Sequence, residues 1–180
     1  MKREKQSKMR TKDITQIAMT VSAMLVGGFL IYMISSRFPL PGFKYAAMSP
    51  YLSFIVAMLL INFNLKRSVL IVNTVFAMVM SMVSIYMGLA IFSTGVLTQI
   101  TQTMIPKGWR YKNTVVSALY SVYTVGTALT VSKLFIAKEI FEIITWPYVL
   151  ALMTIAFVLG LVGAYAGDLL GNRVFRSRQN

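Results

Sequence analysis

The chain has 180 residues, of which 57% are hydrophobic and 13% charged, with a mean hydropathy of +0.68; a soluble domain of this size cannot bury so much apolar side chain. Lys and Arg number 18 against five acids, a net charge of +13, and because these cations lie between apolar runs they suit a membrane rather than nucleic acid. Cysteine and histidine are both absent, which excludes disulfides, thiolate metal sites and the commonest general base.

Residues 1–13 form a basic arm, with Lys2, Arg3, Lys5, Lys8, Arg10 and Lys12 against Glu4 and Asp13. The apolar run 14–36 follows. Its length of about 23 residues, roughly 34 Å as a helix, is enough to cross a hydrocarbon core of ~30 Å. It exceeds the ~7–15 residues of a signal-peptide core and ends without a small-x-small cleavage site, so it reads as a span. Small residues lie on it at helical spacing, Ala18 and Ser22 on one line and Ala23 and Gly27 on the next. They make this helix the candidate docking surface for a partner, because a neighbouring backbone can approach closely there.

A loop bounded by Pro39 and Pro41 leads to a second span, 45–63, with Pro50 expected in its opening turns, where a missing N–H costs little. Residues 68–105 then carry no charge. As one helix this block would measure roughly 57 Å, too long for a single crossing at ordinary tilt. A hairpin at Tyr86-Met87-Gly88 divides it into spans 68–85 and 88–105. The loop from Pro106 to Lys112 mixes cations with interfacial aromatics. A fifth span covers 113–132, a polar connection containing Lys138, Glu139 and Glu142 follows, and Pro147 opens the last span, 147–170. A basic tail, 172–180, ends the chain.

The cations support this count. With six spans and both termini cytoplasmic, fourteen face inward: the six of the arm, Lys66, Arg67, Lys107, Arg110, Lys112, Arg173, Arg176 and Arg178. Only Arg37, Lys44, Lys133 and Lys138 face outward. Five spans would invert the second half and break the positive-inside rule. The sequence therefore predicts an all-α, multi-pass plasma-membrane protein, with one six-helix domain over 14–171.

Two stripes stand out within the spans. The sixth carries Gly160, Gly163, Gly167 and Gly171 with Ala156 and Ala164 beside them, a pattern for close helix packing. The fifth carries Ser117, Tyr120, Thr124, Thr127 and Thr130, continued by Lys133, which predicts a polar face turned inward. Interhelical hydrogen bonding is one use of such a face, and a solute pocket at its outer half is another. Candidate pocket residues are Arg37 and Lys44 from the first loop, Tyr86 from the hairpin, Thr127, Thr130 and Lys133 from the fifth span, and Trp146 and Tyr148 near the last connection. The aromatics suit a small-molecule wall as well as a membrane belt. No acid–base pair, metal-ligand cluster or Walker-type glycine loop occurs, so neither enzyme chemistry nor ATP hydrolysis is expected in this chain, nor a bound metal or cofactor.

The order of these features resembles the substrate-binding S components of energy-coupling factor (ECF) vitamin transporters. The likeness covers nearly the whole chain in layout and two patches in sequence. One is residues 11–23, where the family's Ala-x-x-x-Ala-type motif is matched by Ala18 and Ser22, or in a shifted line by Ala23 and Gly27; the other is residues 160–173. The resemblance implies that the first three helices face a membrane-embedded T component joined to two cytoplasmic ATPase subunits. It implies that a water-soluble vitamin or related micronutrient sits near the outer surface, held by the outer ends of helices four to six and by loops one, three and five, and that toppling of the S component releases it inside. A non-transport scaffold or assembly subunit, or a self-contained small oligomeric channel or transporter, are the competing expectations.

Overall fold

The computed structural model describes residues 11–35, 37–38, 42–62, 67–106, 108–135 and 145–176. Most of the basic arm, the prolines of the first loop, Lys66, Lys107, the connection through Lys138, Glu139 and Glu142, and Arg178 lie outside the described residues. Among the described residues there are six α-helices: α1 (Thr11–Ser35), α2 (Phe43–Asn62), α3 (Ser68–Ser81), α4 (Ile85–Met104), α5 (Lys112–Phe135) and α6 (Trp146–Arg176). There is no strand among the described residues. Four of the six, α1, α2, α5 and α6, are long and apolar enough to cross a membrane. The other two differ in kind: α3 has 14 residues, and α4 has 20 but interrupts its apolar run with Ser93, Thr94, Thr98, Gln99, Thr101 and Gln102.

Local chemistry sets the helix ends. Asp13 lies in the first turn of α1, where a carboxylate complements the helix dipole. Gly42, at φ 81°, supplies the left-handed step into α2, and its carbonyl accepts the Tyr45 N–H at 3.1 Å. Ile105 is extended because Pro106 follows it, and this ends α4. The freed Ile105 carbonyl accepts a 2.5 Å hydrogen bond from Lys112 Nζ at the start of α5. Pro147 falls in the first turn of α6, where no N–H is needed.

Several predicted boundaries move: α1 begins at Thr11, inside the predicted arm, and α6 continues to Arg176, into the predicted tail. The hairpin between α3 and α4 is at Met82-Val83-Ser84, not at Tyr86-Met87-Gly88. Gly88 sits one turn inside α4, where it lets that helix close on the Ser81 hydroxyl and the Ala77 carbonyl. It is a packing glycine rather than a turn glycine. Pro50 also lies deeper than expected, as the eighth residue of α2, so one backbone hydrogen bond is missing inside the helix.

α2 and α5 form the centre. By backbone proximity α2 neighbours every other helix except α4, α5 neighbours α2, α4 and α6, and α1 neighbours α2 and α3. The most extensive contact is between α2 and α6. All four stripe glycines of α6 are buried on it: Gly163 lies against the Pro50 backbone, Gly167 against Phe54 and Ala57, and Gly171 against Ile61 and Met58. Gly160 faces the junction with α5, next to Ser53 and Ser121. There the Ser53 hydroxyl reaches the Ser117 carbonyl at 2.7 Å and Ser121 Oγ at 2.5 Å, while Ser121 donates to the Ser49 carbonyl at 3.0 Å. Two hydroxyl protons thus serve three buried contacts between α2 and α5.

A second buried polar link joins α3 to α5. The Tyr120 hydroxyl donates to Asn73 Oδ1 at 2.8 Å, and Asn73 Nδ2 donates to the Val69 carbonyl at 3.0 Å, with Tyr120 2% and Asn73 0% exposed. Around it Ile17, Val21, Met24, Leu52, Val56, Leu59, Val69 and Val72 form one apolar cluster. Ala46, Val125, Leu129, Leu152 and Ala156 form another between α2, α5 and α6. Large apolar side chains stand on the outside and polar ones within: Phe29, Leu30, Phe92, Ile100, Leu150, Ile155 and Val162 are exposed, while Ser49, Ser53, Asn73, Thr98, Ser117 and Ser121 are buried. Such a surface suits lipid contact.

Replacing Gly163 with Leu should prevent the α2–α6 approach and abolish the monodisperse folded protein, whereas Val162→Leu, on the exposed side of the same helix, should be neutral. Ser53→Ala should cost about 0.6–1.7 kcal/mol, the range for a single interhelical hydrogen bond in a membrane bundle. Size-exclusion profiles after graded heating in detergent would measure both.

Candidate functional site

A cavity of about 140 Å³ opens among α1 to α5. It lies at one end of the bundle, toward the C-terminal ends of α1, α3 and α5 and the N-terminal ends of α2 and α4. This is the end opposite the N-terminus of α1. α6 contributes no lining residue.

Four helices each bring one methionine to the wall: Met24 from α1, Met48 from α2, Met80 from α3 and Met87 from α4. Thioether chains are unbranched and polarizable, and they favour aromatic edges, so they form an adaptable lining for a flat guest. Phe76, Leu52, Ile91 and Val131 add apolar surface, while Ala90 and Ala128 leave the space open. The hydroxyls of α4 and α5 add little free polarity. Thr94 and Thr127 Oγ1 lie 2.7 Å apart, so one hydroxyl donates across the α4–α5 contact while the other donates to its own backbone, Thr94 to the Ala90 carbonyl at 2.9 Å or Thr127 to the Tyr123 carbonyl at 2.8 Å. Thr124 is likewise bonded to the Tyr120 carbonyl at 2.9 Å. The interior therefore offers a guest methyl, thioether and ring surface.

The rim is aromatic. Tyr32, Tyr45 and Tyr86 line the cavity near the ends of their helices. The Tyr86 ring is stacked on Phe135, with centroids 5.3 Å apart and planes 23° apart, which ties the start of α4 to the end of α5. Lys44 Nζ lies 4.9 Å from the Tyr32 centroid and 5.4 Å from that of Tyr45, and approaches Tyr32 Oη at 3.4 Å. An ammonium held on two ring faces is stabilised by their quadrupoles without a carboxylate partner.

The structure brings together some of the predicted pocket residues. Tyr86 and Thr127 line the cavity, and Lys44 touches two tyrosines that do. Tyr148 packs against the Ala46–Leu152 cluster, and Trp146 is 77% exposed at the start of α6. Arg37, Thr130 and Lys133 are exposed and outside the lining. The stripe on α5 explains the last two. Three successive three-residue steps at about 100° per residue turn Lys133 roughly half-way round the helix from Thr124. Ser117 and Tyr120 on the same stripe are buried in helix contacts instead.

Sequence reasoning passed over Tyr32, Tyr45 and the four methionines. Their only signal was an aromatic near a span end or a Met within a span, and lipid-facing positions such as Met19 and Tyr165 look the same in the sequence. The candidate docking residues separate in space. Ala18 and Ser22 are exposed. Ala23 and Gly27 face α2, where the Tyr51 hydroxyl donates to the Ala23 carbonyl at 2.6 Å and its ring lies across Gly27.

Comparison of the chain with protein-family models, characterised proteins and solved structures gives no match.

Ala128→Leu should fill the cavity and remove any ligand-induced rise in melting temperature while leaving the unliganded protein as stable as before. Thr127→Val should do the reverse, lowering the unliganded melting temperature through loss of the α4–α5 bond and preserving the ligand-induced rise. Thermal denaturation with and without each member of a panel of water-soluble vitamins separates the two.

Proposed function

We propose that this chain is the substrate-capture subunit, or S component, of an ECF-type importer for a water-soluble vitamin or related micronutrient, with ATP hydrolysed in partner subunits. All six helices cross or enter the plasma membrane, both termini are cytoplasmic, and the cavity mouth faces outward. The observation that carries the reading is the cavity: five helices converge on a small-molecule space at the end of the bundle opposite the N-terminus of α1. A scaffold that only packs partners has no use for such a space.

The partners are a membrane-embedded T component and two cytoplasmic ATPases. What supports a docking face on α1 is that its Ala18–Ser22 line is open while its Ala23–Gly27 line is occupied by Tyr51. Exposed Val26 and Phe29 continue the open side toward the other end of the helix. The contact is therefore made through Ala18 and Ser22.

Purified chain titrated with a panel of water-soluble vitamins should bind one of them, and a pull-down in mild detergent should recover a T component with two ATPases. Absence of binding across the panel would overturn the reading. Ala18→Trp should leave binding and melting temperature unchanged but abolish ATP-driven uptake in reconstituted vesicles. Ala23→Trp should instead unfold the α1–α2 contact, which thermal denaturation would register.

A further inference from the structure

We infer that the ligand of the α1–α5 cavity is a single-ring aromatic or heteroaromatic acid, its ring among the methionines and its anionic group at Lys44. The inference rests on the capture-subunit reading and names the class of molecule captured.

Size comes first. A cavity of about 140 Å³ is close to the ~150 Å³ that holds a benzene-sized guest in an apolar protein interior. One ring fits. A larger body would have to displace the rim tyrosines.

Chemistry selects within that size. Among the described residues no charged side chain lines the cavity, and the threonine hydroxyls of its wall are already bonded within and between α4 and α5, which leaves Ser132 as the wall's other aliphatic hydroxyl. A guest entering here finds few free partners for polar groups on its buried part, so a flat apolar ring is favoured, with polar substituents left at the mouth. Thioethers against a ring face or edge add their own attraction.

Charge settles the other end. Lys44 is half-buried at the rim and rests on Tyr32 and Tyr45, with no acid beside it among the described residues. The two acids among the described residues, Asp13 and Asp168, lie toward the far ends of α1 and α6. An ammonium has three donors, and the approach to Tyr32 Oη at 3.4 Å uses at most one. The remaining donors can take a carboxylate beside the ring pocket, in a partly desolvated setting where a charge-assisted bond is strong. A cationic guest meets like charge at the same point and is rejected.

The test uses the purified full-length chain in detergent, titrated calorimetrically with matched probes: benzoate, nicotinate and phenylacetate, the amide of each, and benzylamine. At least one acid should bind about tenfold or more tightly than its amide, and benzylamine should not bind. Lys44→Gln should bring that acid and its amide within about threefold of each other, whereas Lys44→Arg and Tyr32→Phe should keep the preference and show that the rim still folds. Equal binding of acids and amides, tighter binding of the amine, a preference that survives in Lys44→Gln, or no binding by any acid would overturn the inference. The assay needs no partner subunit, so its failure is distinct from failure of the capture-subunit reading: a bound vitamin and a recovered T component with no acid preference would remove the ligand class alone.

Discussion

The close approach of α6 to α2 is the constraint on which the rest of this bundle depends. Gly163 and Gly167 bring the two backbones near enough for the Pro50 and Phe54 carbonyls to lie against α6, and Gly160 fits over the serines that join α2 to α5. In lipid, apolar side chains gain little by leaving one hydrocarbon surface for another, so association depends on close packing and on satisfied polar groups. Both are concentrated at this junction. Once α2, α5 and α6 are fixed there, α5 carries Tyr120 to Asn73 of α3 and Thr127 to Thr94 of α4.

The cavity follows from what that junction leaves unfilled. α6 is drawn against α2 and α5 on one side, and α1 neighbours α2 and α3, so α1 to α5 surround a space at one end that no helix fills. Small residues keep it open and methionines line it. The threonines of the wall are bonded to backbone carbonyls and across the α4–α5 contact, and Lys44 stands on two of the rim tyrosines. On the proposed ligand class, a guest is sorted by two regions, a nonpolar interior and a positive mouth.

Helix α1 serves two surfaces at once. Tyr51 occupies its Ala23–Gly27 line with a ring and a hydrogen bond, which ties the helix into the bundle. Ala18 and Ser22 point away from that contact. On the proposed function this division lets the docking face engage a T component without disturbing the helices that hold the ligand, since Met24 and Tyr32 reach the cavity from the inward side.

The sequence by itself determined the all-helical class and the approximate place of the six helices described, because apolar run length, prolines and flanking cations are local properties. It also marked the glycine stripe of α6, since spacing along one helix defines a face. Only the tertiary structure decided which small-residue line of α1 is open, because Ala18, Ser22, Ala23 and Gly27 differ in partner and not in chemistry. The same holds for the site. Whether Gly88 turns or packs depends on Ser81 across the hairpin, and whether Thr127 meets a guest or Thr94 depends on how α4 lies against α5. Lys44 could be read as a loop cation, but its place over Tyr32 and Tyr45 required α1 and α2 to be set side by side. In a membrane bundle the lining and the lipid-facing surface draw on the same apolar residues, so membership of the cavity is a relation between helices that no single run of sequence contains.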